Sequence, residues 1–128
     1  MNYPAYRQHL NGLIAKHHPQ LPGVMNRFGQ LHTETMKSGV LDTKQKELIA
    51  LGIAIAVRCD GCISSHVYQS LSNGVTPEEI AETVGVAILM GGGPAVVYGM
   101  QALEAVEQFQ QEAALHSSNG ALHSAGAA

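Results

Sequence analysis

The sequence is poor in charged residues, tryptophan and cysteine, and these shortages narrow the class of protein. Charged residues make up 13% of the chain, about half the share of ~25% that soluble domains usually carry. The formal net charge is −3, and like charges do not cluster. We therefore expect neither a nucleic-acid partner nor an anionic membrane surface. So few charges leave apolar helix surface uncovered, which predicts burial between subunits.

Long hydrophobic runs and an export signal are also missing. The longest apolar run, residues 48–57, is far shorter than the ~20 residues that span a bilayer. The first residues, MNYPAYRQHL, show no cationic region followed by an apolar stretch, so they predict no signal peptide. We therefore expect a cytoplasmic protein. In that compartment, paired cysteines more often serve catalysis or metal binding than a structural disulfide.

Helical patterns predict an all-α protein of about six helices, in one domain over residues 1–115. The sequence HHP at 17–19 ends the first helix, and an apolar stripe that includes Val24 and Phe28 marks the second. TPEE at 76–79 is the clearest helix start, because it combines an N-cap, a proline at the first position and a capping box. No segment predicts a strand convincingly. Residues 116–128 are small, polar and aperiodic, which predicts a disordered tail.

The only two cysteines lie in the sequence CDGCISSH, which begins at Cys59. The Asp-Gly pair between them favours a turn, so we expect a helix to begin near Cys59 with Cys62 in its first turn. Free backbone N–H groups and the positive end of the helix stabilise a thiolate there. His66 follows Cys62 by four residues on the same helical face, where it can take the thiol proton. CxxC spacing also permits a disulfide, so the motif offers an attacking sulfur, a resolving sulfur and a base.

Glu47 is the last charged residue before the apolar run. A carboxylate at such an edge is either solvated or has a specific task, and Glu47 can orient His66 or receive its proton. However, ~18 Å of helix separates Glu47 from Cys59, whereas only ~10 Å separates Cys59 from His66. The sequence leaves open whether Glu47 meets His66 within one chain or across subunits.

Together, Glu47, Cys59, Cys62 and His66 resemble the pattern of the alkylhydroperoxidase D-like branch of the carboxymuconolactone decarboxylase family. Eleven, two and three residues separate them in turn, and the similarity extends over roughly residues 44–105. The resemblance implies an all-helical fold with a central antiparallel helix hairpin that carries the CxxC at its turn. It also implies a homo-oligomer, either a trimer or a hexamer.

The resemblance further implies a thiol-dependent peroxidase acting on a small organic peroxide or a disulfide substrate. By that likeness Cys62 attacks the peroxide, Cys59 resolves the product, and His66 with Glu47 forms a proton relay. An external dithiol, a lipoyl group or a thioredoxin-like protein, would reduce the disulfide again, and no cofactor or metal is implied. The chain departs from the pattern at Gly61, where the best-known peroxidase members carry a histidine that can donate a proton.

Other interpretations of the motif remain open. Lactone decarboxylation, the activity of family members that generally lack CxxC, needs a basic pocket for a carboxylate, and Arg58 is the only charged candidate near the turn. Zinc needs about four ligands, more than the two thiols and His66 supply within one chain. A redox sensor would form the disulfide without turnover, and a scaffold would tolerate loss of either cysteine.

Overall fold

Six α-helices and one short 3₁₀ helix form most of the described backbone, which confirms the predicted all-α class. The computed structural model describes the backbone of residues 1–126 and the side chains of residues 1–120. The α-helices are α1 (Tyr3–His17), α2 (Pro22–Met36), α3 (Thr43–Ala56), α4 (Asp60–Ser72), α5 (Pro77–Gly91) and α6 (Gly93–Gly126), and the 3₁₀ helix His18–Gln20 joins α1 to α2. Within residues 1–126 no strand forms. None of the helices described has the length and apolar character that a membrane span requires.

Capping boxes determine where α3 and α5 begin. The Asp42 carboxylate accepts a hydrogen bond from the backbone N–H of Gln45 at 2.7 Å, and the Gln45 side chain accepts one from the backbone N–H of Asp42 at 2.9 Å. Thr76 and Glu79 repeat the arrangement at the start of α5. The backbone hydrogen bond from Thr76 also lowers the pKa of the Glu79 carboxyl. The start of α5 agrees with the sequence prediction, and such caps typically contribute ~1 kcal/mol each.

The core lies among α3, α4, α5 and α6, and α1 covers one side of α4 and α6. Its central side chains are fully buried: Leu51, Ile55, Ile63, Val67 and Ile80. The α5 and α6 helices approach closely at Gly99, where a Cβ would lie 2.6 Å from Cγ1 of Val84. The α3 and α4 helices form the hairpin that carries the two cysteines at its turn, as predicted.

The α2 helix packs differently from the others. It contacts only the 3₁₀ helix and α3 to any extent, and none of its residues is buried. The predicted apolar stripe is present, but within this chain it faces outward, with Val24, Phe28 and Leu31 each more than 60% exposed.

The α6 helix is longer than the sequence indicated. The helix continues to Gly126, and residues 127 and 128 lie outside the described part. The disorder expected from residue 116 stays a prediction. No proline follows Pro94, and each residue added to an existing helix gains a hydrogen bond without a new nucleation step. Residues 116–120 are exposed, so local propagation rather than packing explains this extension.

Candidate active site

The turn between α3 and α4 is a Schellman motif. The backbone N–H of Cys59 donates to the carbonyl of Ala54 at 3.1 Å, and that of Arg58 donates to the carbonyl of Ile55 at 3.2 Å. Arg58 takes the left-handed position of the motif, with φ of 60°, which glycine normally occupies. The motif reverses the chain within three residues and thereby places Cys59 at the start of α4.

Replacing Arg58 by glycine should stabilise the protein. A non-glycine residue in the left-handed region costs ~1–2 kcal/mol, and the greater freedom of glycine in the unfolded chain offsets part of the gain. We expect the melting temperature of Arg58→Gly to rise by roughly 2–4 °C, measured by circular dichroism at fixed protein concentration. Arg58→Ala is the matched control, because it removes the charge but keeps the strained backbone. An equal rise in both variants would mean that the charge, not the backbone, is responsible.

Cys59 and Cys62 lie together at the N-terminus of α4 and are joined by a disulfide with a Cα–Cα distance of 5.2 Å. Cys59 is the N-cap residue of the helix, and its Sγ accepts a hydrogen bond from the backbone N–H of Cys62 at 3.2 Å. Free N–H groups and the positive end of the helix dipole therefore act on this pair. When the disulfide is reduced, both features favour a thiolate at this position.

Glu47 and His66 meet within one chain. The carboxylate Oε2 of Glu47 lies 2.8 Å from Nδ1 of His66. Glu47 is only 3% exposed, whereas the His66 side chain is 20% exposed. An ionised carboxylate can only accept hydrogen bonds, so in such a pair Nδ1 carries a proton, and in the neutral imidazole Nε2 then offers a lone pair. The hairpin and the two side chains thus absorb the difference of ~8 Å in helix length between Glu47 and His66, counted from Cys59.

The structure brings the four predicted residues together as two pairs on one hairpin. One pair is the disulfide, and the other is the buried carboxylate with the imidazole. In the oxidised form described here, no hydrogen bond among residues 1–120 joins His66 to either sulfur. His66 lies one helical turn after Cys62, on the same face of α4. The arrangement therefore places His66 between the first turn of α4 and the buried Glu47.

Gly61 faces α1, a contact that the sequence analysis missed. A Cβ on Gly61 would lie 2.8 Å from Cδ1 of Leu10 and 4.0 Å from the hydroxyl oxygen of Tyr6. The α1 helix thus occupies the space into which a larger residue at position 61 would project. The spacing of Tyr6, Leu10, Leu13 and Ile14 gives the first helix an apolar face, but nothing in that pattern shows which element the face covers.

Tyr3 places a neutral phenol near the same end of α4. Its side chain is buried, and burial raises the pKa of Tyr3 to about 12, with a further contribution from the negative charges of Asp60 and Glu104. Its backbone carbonyl accepts a hydrogen bond from the hydroxyl of Ser64 at 3.0 Å, and its N–H donates to the side chain of Gln108 at 2.7 Å. These two bonds attach the start of α1 to α4 and α6, which keeps α1 over Gly61.

Replacing Gly61 by histidine should destabilise the protein by roughly 1–3 kcal/mol, because overpacking a filled site forces neighbours to move. Gly61→Ala should cost much less, since only the end of Leu10 must shift. Adding Leu10→Ala to Gly61→His should recover part of the lost stability. Urea denaturation of the wild type, Gly61→His, Leu10→Ala and the double variant gives the coupling energy between the two positions. A coupling energy of zero would mean that Leu10 does not fill this space.

Among the described residues, no group of three or more histidine, cysteine, aspartate or glutamate side chains is arranged to hold a metal ion. His66 pairs with Glu47, and the two sulfurs pair with each other. The site thus combines a cysteine pair and an imidazole–carboxylate pair on one hairpin.

A comparison with protein families finds that the model of the carboxymuconolactone decarboxylase family matches residues 22–105. The matched segment includes all four candidate residues. Among curated proteins, an uncharacterised protein of Cupriavidus necator is 37% identical over 82 residues, which are 64% of this chain and 73% of the relative.

Several solved structures are similar to this chain. A carboxymuconolactone decarboxylase family protein from Legionella pneumophila is 39% identical with a TM-score of 0.81, over 84% of this chain and 96% of the other. A family protein from Thermotoga maritima, described as possibly involved in antioxidative response, is 31% identical with a TM-score of 0.65, over 69% of this chain and 91% of the other.

Proposed function

The chain belongs to the carboxymuconolactone decarboxylase family, and from that premise we propose that it is a thiol-dependent oxidoreductase that reduces small organic peroxides. The observation that carries the proposal is the Cys59–Cys62 disulfide at the N-terminus of α4, on the same hairpin as the buried Glu47–His66 pair. The antioxidative role suggested for the Thermotoga maritima relative is in keeping with it.

In the reduced protein, Cys62 is the attacking sulfur. His66 takes the thiol proton at Nε2, and the resulting thiolate attacks one oxygen of the peroxide. The O–O bond breaks, Cys62 becomes a sulfenic acid, and the leaving alkoxide takes the proton back from His66. Glu47 stays ionised and stabilises the imidazolium that exists between the two transfers, as the carboxylate of a catalytic triad does.

Cys59 completes the first half of the cycle. Its thiol attacks the sulfenic acid, the S–O bond breaks, and water leaves as the disulfide forms. Because Cys59 caps the helix that carries Cys62, the two sulfurs are already within bonding reach and little movement is needed. The protein has then lost two electrons and two protons to the peroxide.

An external dithiol supplies the electrons for the second half. A thiolate of the donor attacks the disulfide, and its second thiol releases the protein by exchange, so the donor leaves oxidised. A lipoyl group or a thioredoxin-like protein has the required pair of thiols. We further propose that the chain is cytoplasmic and works as a homo-oligomer, a trimer or a hexamer, in keeping with the exposed apolar side chains of α2.

Gly61 bears on how the alkoxide is protonated. The chain has no side chain at this position, and α1 fills the neighbouring space. In the mechanism above, the proton that His66 removes from Cys62 is the same proton that it returns to the product. The proposed cycle therefore needs no donor at position 61.

A redox sensor is the second candidate, since the same disulfide supports it. The number of peroxide molecules consumed per chain distinguishes a peroxidase from a redox sensor. With cumene hydroperoxide and dihydrolipoamide in excess, an enzyme consumes many equivalents of peroxide per chain, whereas a sensor stops after one. The Cys59→Ser/Cys62→Ser double variant is the control for uncatalysed reaction between the two reagents. Consumption equal to that control would exclude peroxidase activity with this donor and favour lactone decarboxylation or a scaffold role.

A further inference from the structure

The α2 helix carries an apolar stripe that its own chain leaves uncovered. Val24, Phe28 and Leu31 recur at helical spacing and are 64%, 63% and 62% exposed. None of the 15 residues of α2 is buried. The helix therefore gains little stabilisation from the rest of this chain.

The composition of α2 makes it a poor helix by itself. It contains Gly23, Gly29, Thr33 and Thr35, all of which have low helix propensity. Isolated helices of this length are marginal in water even when they are rich in alanine. Lys46 and Thr43 of this chain hold the C-terminal end of α2, and contact with a surface outside the chain would add the apolar burial that the helix lacks.

A second apolar surface of the chain is an open groove between α3 and α5. Its volume is about 420 Å³, and only uncharged side chains line it. Its rim is formed by Ile49 and Ile53 of α3 and by Val86 and Met90 of α5, which are 50–79% exposed. This groove lies on a different face of α3 from Glu47, which points toward α4.

The exposed area of the chain is larger than a monomer of its mass should have. The chain exposes 8076 Å², whereas about 6,500 Å² is expected for a monomeric protein of 13.5 kDa. The excess of about 1,500 Å² approaches the sum of two interface surfaces of about 800 Å² each. The exposed residues 116–120 of α6 contribute part of the excess, and α2 and the groove contribute uncovered apolar area.

We propose that α2 of one copy seats its stripe in the α3–α5 groove of a second copy. Val24 and Leu31 are seven residues apart, as are Ile49 and Ala56 along the α3 side of the groove, so both surfaces run for about 10 Å. Both are apolar and uncharged, so the contact buries no unpaired charge. The stripe and the groove are different surfaces, so each chain inserts its α2 stripe into one neighbour and accepts the stripe of a neighbour in its own groove. This can occur reciprocally in a pair or around a closed ring. The contact specifies how the proposed homo-oligomer assembles, but does not depend on its redox chemistry.

Light scattering on separated species provides the first test. The wild type should have a mass that is a multiple of 13.5 kDa at a concentration of about 10 µM. Phe28→Asp and Ile53→Asp each place a charge in the contact and should lower that mass, because a buried unpaired charge is strongly unfavourable. Val40→Asp is the matched control, since Val40 is fully exposed in the loop before α3 and should leave the mass unchanged. A wild type with the mass of one chain, or an unchanged mass in both contact variants, would overturn the proposal.

Cross-linking tests the pairing directly and does not require a destabilising charge. In the Cys59→Ser/Cys62→Ser background, chains with Phe28→Cys are co-expressed with chains with Ile53→Cys and oxidised. Mixed assemblies should give a two-chain disulfide product, whereas each variant alone should give little. Val40→Cys co-expressed with Ile53→Cys should also give little. Equal yields in all combinations, or a dominant Phe28→Cys homodimer, would contradict a stripe-in-groove contact. Peroxide turnover of the unmodified protein is measured separately, so either proposal can fail alone.

Discussion

Cys62→Ser should lose the reaction with organic peroxide, while Cys59→Ser should keep its first step and stop there. His66 lies one helical turn after Cys62, on the same face of α4. Of the two cysteines, only Cys62 therefore shares a helical face with the proposed base. In Cys59→Ser, the sulfenic acid on Cys62 has no resolving thiol and should accumulate. Stopped-flow loss of thiols, followed by intact mass after dimedone trapping, measures both outcomes.

The two serine variants serve as controls for each other, because each retains one sulfur at the same helix end. Cys59 receives the Cys62 N–H bond at the N-cap, so the helix terminus alone favours a thiolate there too. If Cys62→Ser reacted at the wild-type rate and Cys59→Ser did not, the roles of the two sulfurs would be reversed. That result would assign the chemistry to the helix cap rather than to His66.

Glu47→Gln should lower the rate of Cys62 oxidation by about 100-fold near neutral pH, the lower end of the usual contribution from a positioned base. Glutamine keeps the shape and can still accept the hydrogen bond of His66 Nδ1, but it no longer stabilises the imidazolium. Glu47→Asp should restore part of the rate, because it restores the charge at a shorter reach. The pH dependence of thiol loss should change in Glu47→Gln, which a purely structural role would not produce.

The Glu47→Gln/His66→Gln double variant tests whether the two residues act as one proton relay or contribute to the rate independently. His66→Gln should lose about as much rate as Glu47→Gln, and Glu47→Gln/His66→Gln should lose little more than either, because residues that act as one unit are not additive. Fully additive losses would show that Glu47 does not act through His66. Unfolding by urea, measured on the same proteins, identifies any part of the effect that comes from lost stability.

Local chemistry explains why much of the fold was predictable. Thr76, Pro77 and Glu79 are a complete helix start within four residues, and α5 begins there. Similarly, the Asp-Gly turn and the spacing of Cys59 and Cys62 depend on neighbours in sequence. Such features need no knowledge of the rest of the chain, so the helix order and the position of the cysteines agree with prediction.

The remaining features depend on contacts between distant parts of the chain. Glu47 and His66 are nineteen residues apart, and their meeting depends on how α3 and α4 cross, which no local pattern shows. The cover that Leu10 forms over Gly61 depends on where α1 packs. The end of α6 is a different case, since its polar composition favours disorder whereas an already formed helix favours continuation.

The assigned residue roles remain predictions, and one rate constant tests them most directly. Reduced protein is mixed with one equivalent of cumene hydroperoxide at pH 7, and thiol loss is compared with that of free cysteine under the same conditions. The protein should react at least about tenfold faster, because the helix terminus favours the thiolate and His66 can take the thiol proton. Both thiols should disappear together as the Cys59–Cys62 disulfide forms. A rate equal to that of free cysteine would contradict the proposed peroxidase.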